Sequence, residues 1–299
     1  GVFLIIYTYR QFTPQQFDDL ATSFRTADYL YVWISVLIGF TGFWARAYRW
    51  KYTLSHIGYT APFIVKFSAV CVTYVMNMLI PRSGEVSRAV VLNKYADVPF
   101  DKALGTIISE RIVDLILLVA VVGATIILQF DIVETYLADI PFKRLLFYGI
   151  IAGIFFIASV LFFIYSKLSW IQKIKIKIAG LVEGALSVFK MPNKWPFLLL
   201  SIYIWFSYVL MFYITIYALP ETADLSFGSV ATAFVIGSIV ITFTNGGTGW
   251  FPVAIANILL VYNVPFTAGT AFGWIVWASQ TGLTILLGGI SFLALPLLN

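Results

Sequence analysis

Long apolar runs separated by short polar segments dominate the chain. Apolar runs of about 18 or more residues predict membrane-spanning helices, whereas the strands of a membrane barrel alternate in segments of about ten. The predicted spans cover about residues 29–44, 103–129, 145–165, 195–219 and 266–297. We interpret residues 1–9 as the remainder of a further span, with a few native residues missing before it. The pattern therefore predicts an all-α, polytopic membrane protein with about six spanning helices, in a single transmembrane domain over residues 1–299.

Two further apolar runs break at segments that contain proline or glycine. Residues 62–80 stop abruptly at Pro81, and residues 227–243 run into a glycine-rich stretch. Broken backbone at membrane depth is tolerated only where protein or water covers it. We therefore predict two re-entrant helical hairpins, the first over residues 62–95.

The two breaks correspond to each other in spacing. At an offset of about 165 positions (82 to 247), the matching segments are 82–84 with 247–249 and 99–100 with 265–266. Counting spans places the first hairpin on the cytoplasmic side and the second outside. Paired broken segments in inverted halves are typical of transporters whose site lies near the membrane midplane. We predict half-repeats over about residues 62–130 and 227–297.

Six ionised residues crowd the first half-repeat. They are Arg82, Glu85, Arg88, Glu110, Arg111 and Asp114. A charge costs roughly 2.5–3.5 kcal/mol at the centre of a membrane helix on insertion scales, so the cluster must be paired, hydrated or bound to a ligand. Two interpretations stay open: a closed structural network, and a binding site between the hairpin tips.

As a binding site, the cluster favours an anion. Guanidinium groups match phosphate, and the exposed backbone N–H groups of a glycine-rich turn attract negative charge. The candidate substrate-binding residues are the six ionised ones together with Asn77, Asn245, Gly246, Gly247 and Gly249. We expect the three arginines to contact or position the headgroup of a phosphate-bearing amphiphile. The three carboxylates would hold the arginines and carry a coupling proton.

Composition and charge support the membrane assignment. The chain is 61% hydrophobic and 11% charged, against about a quarter charged in soluble domains. Arg46, Arg49 and Trp50 follow the span at 29–44, and basic and aromatic residues at a span's end predict an orientation anchor at the cytoplasmic interface. A lysine-rich segment at 171–189 predicts a surface helix, and the acidic loop at 131–141 predicts the exterior.

The rare residues exclude several kinds of site. His56 is the one histidine and has no cluster of ligands around it, and Cys71 is the one cysteine, in an apolar run. Neither predicts a metal site or a catalytic base, and no glycine-rich nucleotide loop follows a strand. We therefore expect no metal, no cofactor and no nucleic-acid partner, and a protein that is not an enzyme.

Several motifs carry a resemblance to a known family. They are Asn77, Pro81, Gly84-Glu85, Arg88, Gly105-Thr106, Glu110-Arg111 with Asp114, Arg49-Trp50 and Gly246-Gly247-Thr248-Gly249. These resemble the flippase-like transmembrane family found in lysylphosphatidylglycerol synthases, here as a stand-alone member without the synthase domain. The resemblance implies a multi-pass protein of the bacterial inner membrane that moves a lipid between leaflets. Two positions depart from the family pattern and remove charge from the second half: Pro252 in place of an acid, and Gln280 where an arginine is expected.

The function predicted from these features is translocation of an anionic or phosphate-bearing lipid headgroup through a central polar cleft. The expected partners are membrane phospholipids or lipids of the polyprenyl-phosphate type, and association of several copies of the chain stays open. Two alternatives remain. One is an enzyme that acts on a lipid-linked phosphate or sugar, and the other is a scaffold that does not transport.

Overall fold

The structure, a computed structural model, is helical throughout the part of the chain that it describes. The described residues are 12–130, 190–244 and 246–298, with single positions at 10, 162, 165, 166, 168, 171 and 172. The prediction of an all-α, polytopic membrane protein is confirmed.

Ten α-helices follow one another in these ranges. Their bounds are α1 Pro14–Thr26, α2 Tyr29–His56, α3 Phe63–Leu79, α4 Gly84–Ala96, α5 Phe100–Leu128, α6 Lys194–Thr215, α7 Pro220–Ala223, α8 Phe227–Phe243, α9 Trp250–Leu260 and α10 Phe266–Ala294. Short 3-10 turns extend α6 over Ile216–Ala218 and α10 over Leu295–Leu298. Prolines 62, 99 and 265 precede α3, α5 and α10, where a missing N–H costs no helical hydrogen bond.

Four of the described helices are long and apolar enough to cross a membrane. They are α2, α5, α6 with its extension, and α10 with its extension. Helix α2 runs on to His56, beyond the predicted end at residue 44, and Arg46 and Arg49 in this extension are buried against other helices. The predicted segments at 1–9 and 131–141 lie outside the described residues, and those at 145–165 and 171–189 do so almost entirely, so the count of six spans stays a prediction.

Helices α3 and α4 pack against each other as a hairpin with a tight turn. Arg82 in the turn has a φ of 63°, the left-handed conformation. The Gly84 N–H donates to Asn77 Oδ1 at 2.8 Å, which holds the start of α4 against the end of α3. A Cβ at Gly84 would collide with the carbonyl oxygen of Thr73 and with Asn77, so only glycine permits this approach.

Helices α8 and α9 form the second hairpin. Its turn contains Gly246, Gly247 and Gly249, with φ values of 66°, 75° and 72° that side chains rarely adopt. The Gly246 and Gly247 N–H groups donate to Thr244, to its carbonyl oxygen at 3.0 Å and to its Oγ1 at 3.1 Å. The shape of this turn therefore requires the three glycines, just as the turn of the first hairpin requires Gly84.

Helix α10 contacts the two hairpins at different positions along its length. Near its start Gly269 packs on Ala256 of α9, and near its end Gly288 packs on Val75 of α3. Midway along, Trp277 Nε1 donates to the carbonyl oxygen of Gly246 at 2.7 Å. At about 1.5 Å per residue, the 29 residues of α10 span about 43 Å. The second hairpin thus lies along the first half of α10 and the first hairpin along the second half.

Helix α5 contacts the hairpins in the reverse order. Ile107, near its start, belongs to the buried cluster of the first hairpin. Gln129, just past its end, accepts a hydrogen bond at 3.1 Å from Tyr262, which follows α9. The two hairpins therefore approach each other from opposite ends of the two long helices, and their tips lie near the middle. The half-repeats themselves stay a prediction.

Two large buried clusters hold the hairpins in place. One surrounds the second hairpin and α6, where Phe212 meets Phe272 edge to face at 5.3 Å between ring centroids. The other joins the first hairpin to the end of α2 and the start of α5, with Trp50 and Leu92 fully buried in it. Because each hairpin has its own apolar support, the space between the tips need not be filled by packing.

Candidate functional site

A cavity of about 900 Å³ lies between the hairpin tips. The first hairpin contributes Asn77, Met78, Pro81, Arg82 and Glu85, and the second contributes Phe243, Thr244, Gly246 and Phe251. The tips are close to each other, since a Cβ placed on Gly246 would be 3.9 Å from Met78 Cγ. Residues of α2, α5, α6, α8 and α10 complete the wall.

Three charged residues line this cavity. Arg111 Nη2 lies 2.7 Å from Glu85 Oε1, and both side chains are partly exposed, at 38% and 29%. Arg82 is exposed on the turn and forms no ion pair with any residue in the described ranges. Two guanidinium groups against one carboxylate give the wall a net charge of +1, so the cavity favours an anion.

Another part of the cavity wall is polar without charge. It is formed by Ser238 and Thr242 of α8 and by Trp277, Gln280, Thr281 and Thr284 of α10. Gln280 Nε2 also donates to Ser35 Oγ at 3.3 Å, which ties α10 to α2. The cavity therefore has a net positive part of its wall on the first hairpin and α5, and a neutral, hydroxyl-bearing part on α8 and α10. This agrees with the loss of charge noted in the second half of the sequence.

A second group of charges is buried beside the cavity. Asp114 accepts from Arg46 Nη1 at 2.9 Å and from Arg49 Nη1 at 2.7 Å. Glu110 Oε2 lies 2.9 Å from Arg88 Nη1 and 3.4 Å from Arg49 Nη2. Arg49 bridges the two carboxylates, so α2, α4 and α5 are joined by one continuous ion network.

Neutral groups support the network. The Arg88 guanidinium lies 3.6 Å from the centre of the Trp50 ring, a cation–π arrangement. Arg49 Nη1 also donates to Ser201 Oγ at 2.8 Å, which adds α6 to the assembly. Removing one member of a buried ion pair costs about 3–5 kcal/mol because the other charge is left without a partner. The network therefore makes the relative positions of these helices specific.

Two tyrosines connect the network to the cavity. Arg46 Nη2 donates to the Tyr208 hydroxyl at 3.2 Å, and that hydroxyl lies 3.0 Å from the Tyr74 hydroxyl. Both tyrosines line the cavity. Arg111 forms a second connection, since its Nη1 lies 3.9 Å from Asp114 Oδ2 while its Nη2 binds Glu85. The cavity wall and the buried network are therefore in direct contact through Tyr208 and Arg111.

The structure separates the candidate site residues into two groups. Asn77, Arg82, Glu85, Arg111 and Gly246 line the cavity, whereas the other described candidates do not.

Arg88, Glu110 and Asp114 belong to the buried network, where they are 2%, 1% and 6% exposed. The expectation that Arg88 contacts a headgroup is corrected because Glu110 and Trp50 hold its guanidinium.

The glycine-rich turn also differs from the prediction. Gly247 and Gly249 shape the turn and do not line the cavity. The N–H groups of Gly246 and Gly247 are not free for an anion, because Thr244 accepts both. Asn245 lies outside the described residues.

Arg46, Arg49 and Trp50, predicted as interface anchors, lie inside the helix bundle. Their exposed fractions are 4%, 0% and 0%. Trp50 Nε1 donates to Thr106 Oγ1 at 2.9 Å inside the helix bundle. A basic residue near a span's end can turn inward when a carboxylate on a neighbouring helix pairs with it, and a role of these residues in membrane orientation stays a prediction. The closed network and an open cavity between the hairpin tips are therefore both present and adjacent, and a binding role for the cavity stays a prediction.

Several cavity residues were not recognised from the sequence. They are Tyr74 on α3, Tyr208 on α6, and Trp277, Thr281 and Thr284 on α10. Helical spacing would have found some of them. Trp277, Thr281 and Thr284 share a face with Gln280, and Tyr74 shares a face with Asn77.

Comparison with known proteins identifies one match. The family model described as "Lysylphosphatidylglycerol synthase TM region" matches residues 1–288. No protein of curated function and no solved structure matches the chain. Among the residues described by the structure, no group of three or more His, Cys, Asp or Glu side chains is arranged to hold a metal ion.

Proposed function

Since the chain belongs to the family of lysylphosphatidylglycerol synthase transmembrane regions, membrane proteins linked to lipid handling, we propose that it moves a phosphate-bearing lipid headgroup across the membrane. The cavity between the hairpin tips is the proposed path. The observation that carries the proposal is Arg82, a guanidinium group without an ion-pair partner in the described ranges, on the wall of that cavity.

The size and lining of the cavity support a lipid headgroup. Ligand cavities of about 300–1,000 Å³ with mostly apolar walls and a few placed polar groups are typical of small-molecule sites. This cavity has about 900 Å³. Its apolar part, which includes Phe43, Phe212 and Phe234, suits the glycerol and upper acyl region, while Arg82 and Arg111 suit the phosphate.

The opposed hairpins support translocation over simple binding. In a bilayer, each hairpin would enter from one face, and the tips would meet near the midplane with the backbone of both turns covered by protein. Moving one hairpin relative to α5 and α10 would open the cavity to one leaflet and close it to the other. We propose that this occurs in the bacterial cytoplasmic membrane.

The Glu85–Arg111 pair supplies an exchangeable contact. Both side chains are partly exposed, so water can take the place of either partner. A phosphate can take the place of Glu85 as the partner of Arg111. A phosphate bound by Arg82 would compete with Glu85 for Arg111, and release would restore the pair. Glu85 therefore limits how tightly the headgroup is held, and tight binding of an intermediate slows transport. A scaffold requires neither this exchange nor an open cavity.

The direct test is transfer of phosphatidylglycerol in reconstituted vesicles. A fluorescent phosphatidylglycerol is placed in vesicles of phosphatidylcholine, and impermeant dithionite bleaches the label in the outer leaflet. Wild-type protein is expected to make nearly all of the label accessible, whereas vesicles without protein protect about half. Glu85→Gln is expected to abolish the transfer by leaving Arg111 free to retain the phosphate.

Two outcomes decide against the proposal. The first is protection of the inner label in wild-type vesicles, which a scaffold predicts. The second is chemical conversion of the lipid, which an enzyme predicts and which thin-layer chromatography of the extracted lipids detects.

A further inference from the structure

A strip of aromatic rings runs along α2 and α3 on the outside of the bundle. Trp44 stacks on Tyr48 at 5.0 Å between centroids and 8° between planes, and it lies 5.7 Å from Phe63. Phe67 continues the strip at 6.0 Å from both Phe63 and Phe40. We call these five residues the aromatic strip. Phe40, Trp44 and Phe63 are between 37% and 44% exposed, so the strip presents an apolar surface to whatever surrounds the protein.

Two lysines lie at one end of the aromatic strip. Lys51 Nζ donates to the Tyr48 hydroxyl at 2.6 Å and lies 4.9 Å from the centre of the Tyr52 ring. Lys66, between Phe63 and Phe67 on α3, is 6% exposed. The Phe43 and Tyr74 rings are 4.8 Å apart, and Lys51 and Lys66 lie two helical turns along from them, so the antiparallel register of α2 and α3 places the two lysines on facing positions. Neither lysine forms an ion pair with a carboxylate in the part of the chain that the structure describes.

The two lysines place two positive charges beside the aromatic strip. Lys66 is 6% exposed, so its ammonium is only partly hydrated, and reducing the hydration of an unpaired ammonium is costly. Two neighbouring ammonium groups raise that cost further, and an anion between them would remove it. The aromatic strip indicates where the anion comes from, since aromatic rings beside lysines are typical of the boundary between acyl chains and headgroups. A phospholipid supplies both the negative phosphate and the apolar chain.

We propose that this surface binds one anionic phospholipid, with its phosphodiester between Lys51 and Lys66 and one acyl chain along the aromatic strip. The site is separate from the cavity between the hairpin tips. Ala47 and Val70 lie one helical turn beyond the two lysines and are fully buried in the contact between α2 and α3. Phe43 and Tyr74, one further turn along, line the cavity.

The test uses Trp44 as the reporter. Phosphatidylglycerol with brominated acyl chains is titrated into protein held in phosphatidylcholine nanodiscs, and the quenching due to Trp44 is the difference between the wild type and Trp44→Phe. We expect half-maximal quenching of Trp44 to need at least ten times more lipid in the double variant Lys51→Gln, Lys66→Gln. Lys94→Gln is the matched control, because Lys94 is an exposed lysine 5.2 Å from the ring of Tyr95. It should change the titration by less than twofold.

Further measurements distinguish this site from the cavity and from a site for free phosphate. Arg82→Gln should leave the Trp44 titration unchanged, so the test does not depend on the cavity. Soluble glycerol phosphate at the same concentration should not displace the brominated lipid. Displacement of the lipid by glycerol phosphate would mean that the site binds free phosphate, and it would overturn the proposal. If the double variant does not fold, the titration is made with Lys51→Gln alone, because Lys51 is only half-buried. Equal titrations for the lysine variants and the control also overturn the proposal.

Discussion

Replacing Arg82 by Gln is expected to lower phosphatidylglycerol transfer in reconstituted vesicles roughly tenfold or more. Hydrogen bonds to charged groups contribute about 1.5–3 kcal/mol, and about 1.4 kcal/mol corresponds to a factor of ten. Arg82 has no ion-pair partner in the described ranges, so its full interaction is available to a ligand. The substitution keeps a long polar side chain and a residue other than glycine at φ 63°, so the turn itself should not change. The initial rate of dithionite-accessible label measures the effect.

Arg25→Gln provides the control for this experiment. Arg25 is an exposed arginine on α1, so its replacement removes the same charge far from the cavity. We expect wild-type transfer from it. A rate for Arg82→Gln that equals the rate for Arg25→Gln contradicts the assignment of Arg82 to the headgroup. A lower rate for both would indicate an effect of net charge on reconstitution.

Replacing Asp114 by Asn is expected to lower the thermal stability of the purified protein strongly. Asp114 accepts from both Arg46 and Arg49, and the amide cannot neutralise either guanidinium. Loss of one partner of a buried ion pair costs about 3–5 kcal/mol. For chains of 150–250 residues, about 1 kcal/mol corresponds to about 2–4 °C, so we expect the unfolding midpoint in detergent to fall by roughly 6 °C or more.

Asp101→Asn is the matched control for stability. Asp101 lies on the same helix, is exposed, and forms no ion pair with a described residue. Its replacement should move the unfolding midpoint by no more than about 2 °C, since surface substitutions typically change stability by less than about 0.5 kcal/mol. If Asp114→Asn and Asp101→Asn shift the midpoint equally, the network does not position α2 against α5.

The breaks in the two short hairpins could be predicted because their causes are local. Pro81, Gly84 and the glycines after Thr244 interrupt apolar runs, and such residues have a direct effect on the backbone at their own positions. The long helices were predicted for a similar reason, since uninterrupted apolar length is visible in the sequence. That the hairpin tips face each other depends on packing along α10 and is known only from the structure.

The partners of the buried charges could not be predicted in the same way. Arg46 and Arg49 lie 68 and 65 positions from Asp114, and no helical period connects residues so far apart. Arg46 and Arg49 follow an apolar run, so the rule for orientation signals applied equally well to them. Arg88 illustrates the same limit: its charge predicted a ligand contact, whereas the neighbouring helices supply Glu110 and Trp50. Charge indicates where a network or a site exists, and the fold decides which of the two it is.

The most direct measurement of the central claim joins the two hairpin tips and follows transfer in the same sample. Cys71 is the one cysteine of the chain, so Cys71→Ser gives a background in which Met78→Cys and Gly246→Cys can be linked by a reducible bifunctional thiol reagent. A Cβ at position 246 would be 3.9 Å from the Met78 side chain, within reach of such a reagent. We expect the two tips to be linked in high yield, phosphatidylglycerol transfer to stop, and transfer to return on reduction, while neither single-cysteine variant responds. Transfer that continues unchanged in the linked protein would contradict a path between the hairpin tips.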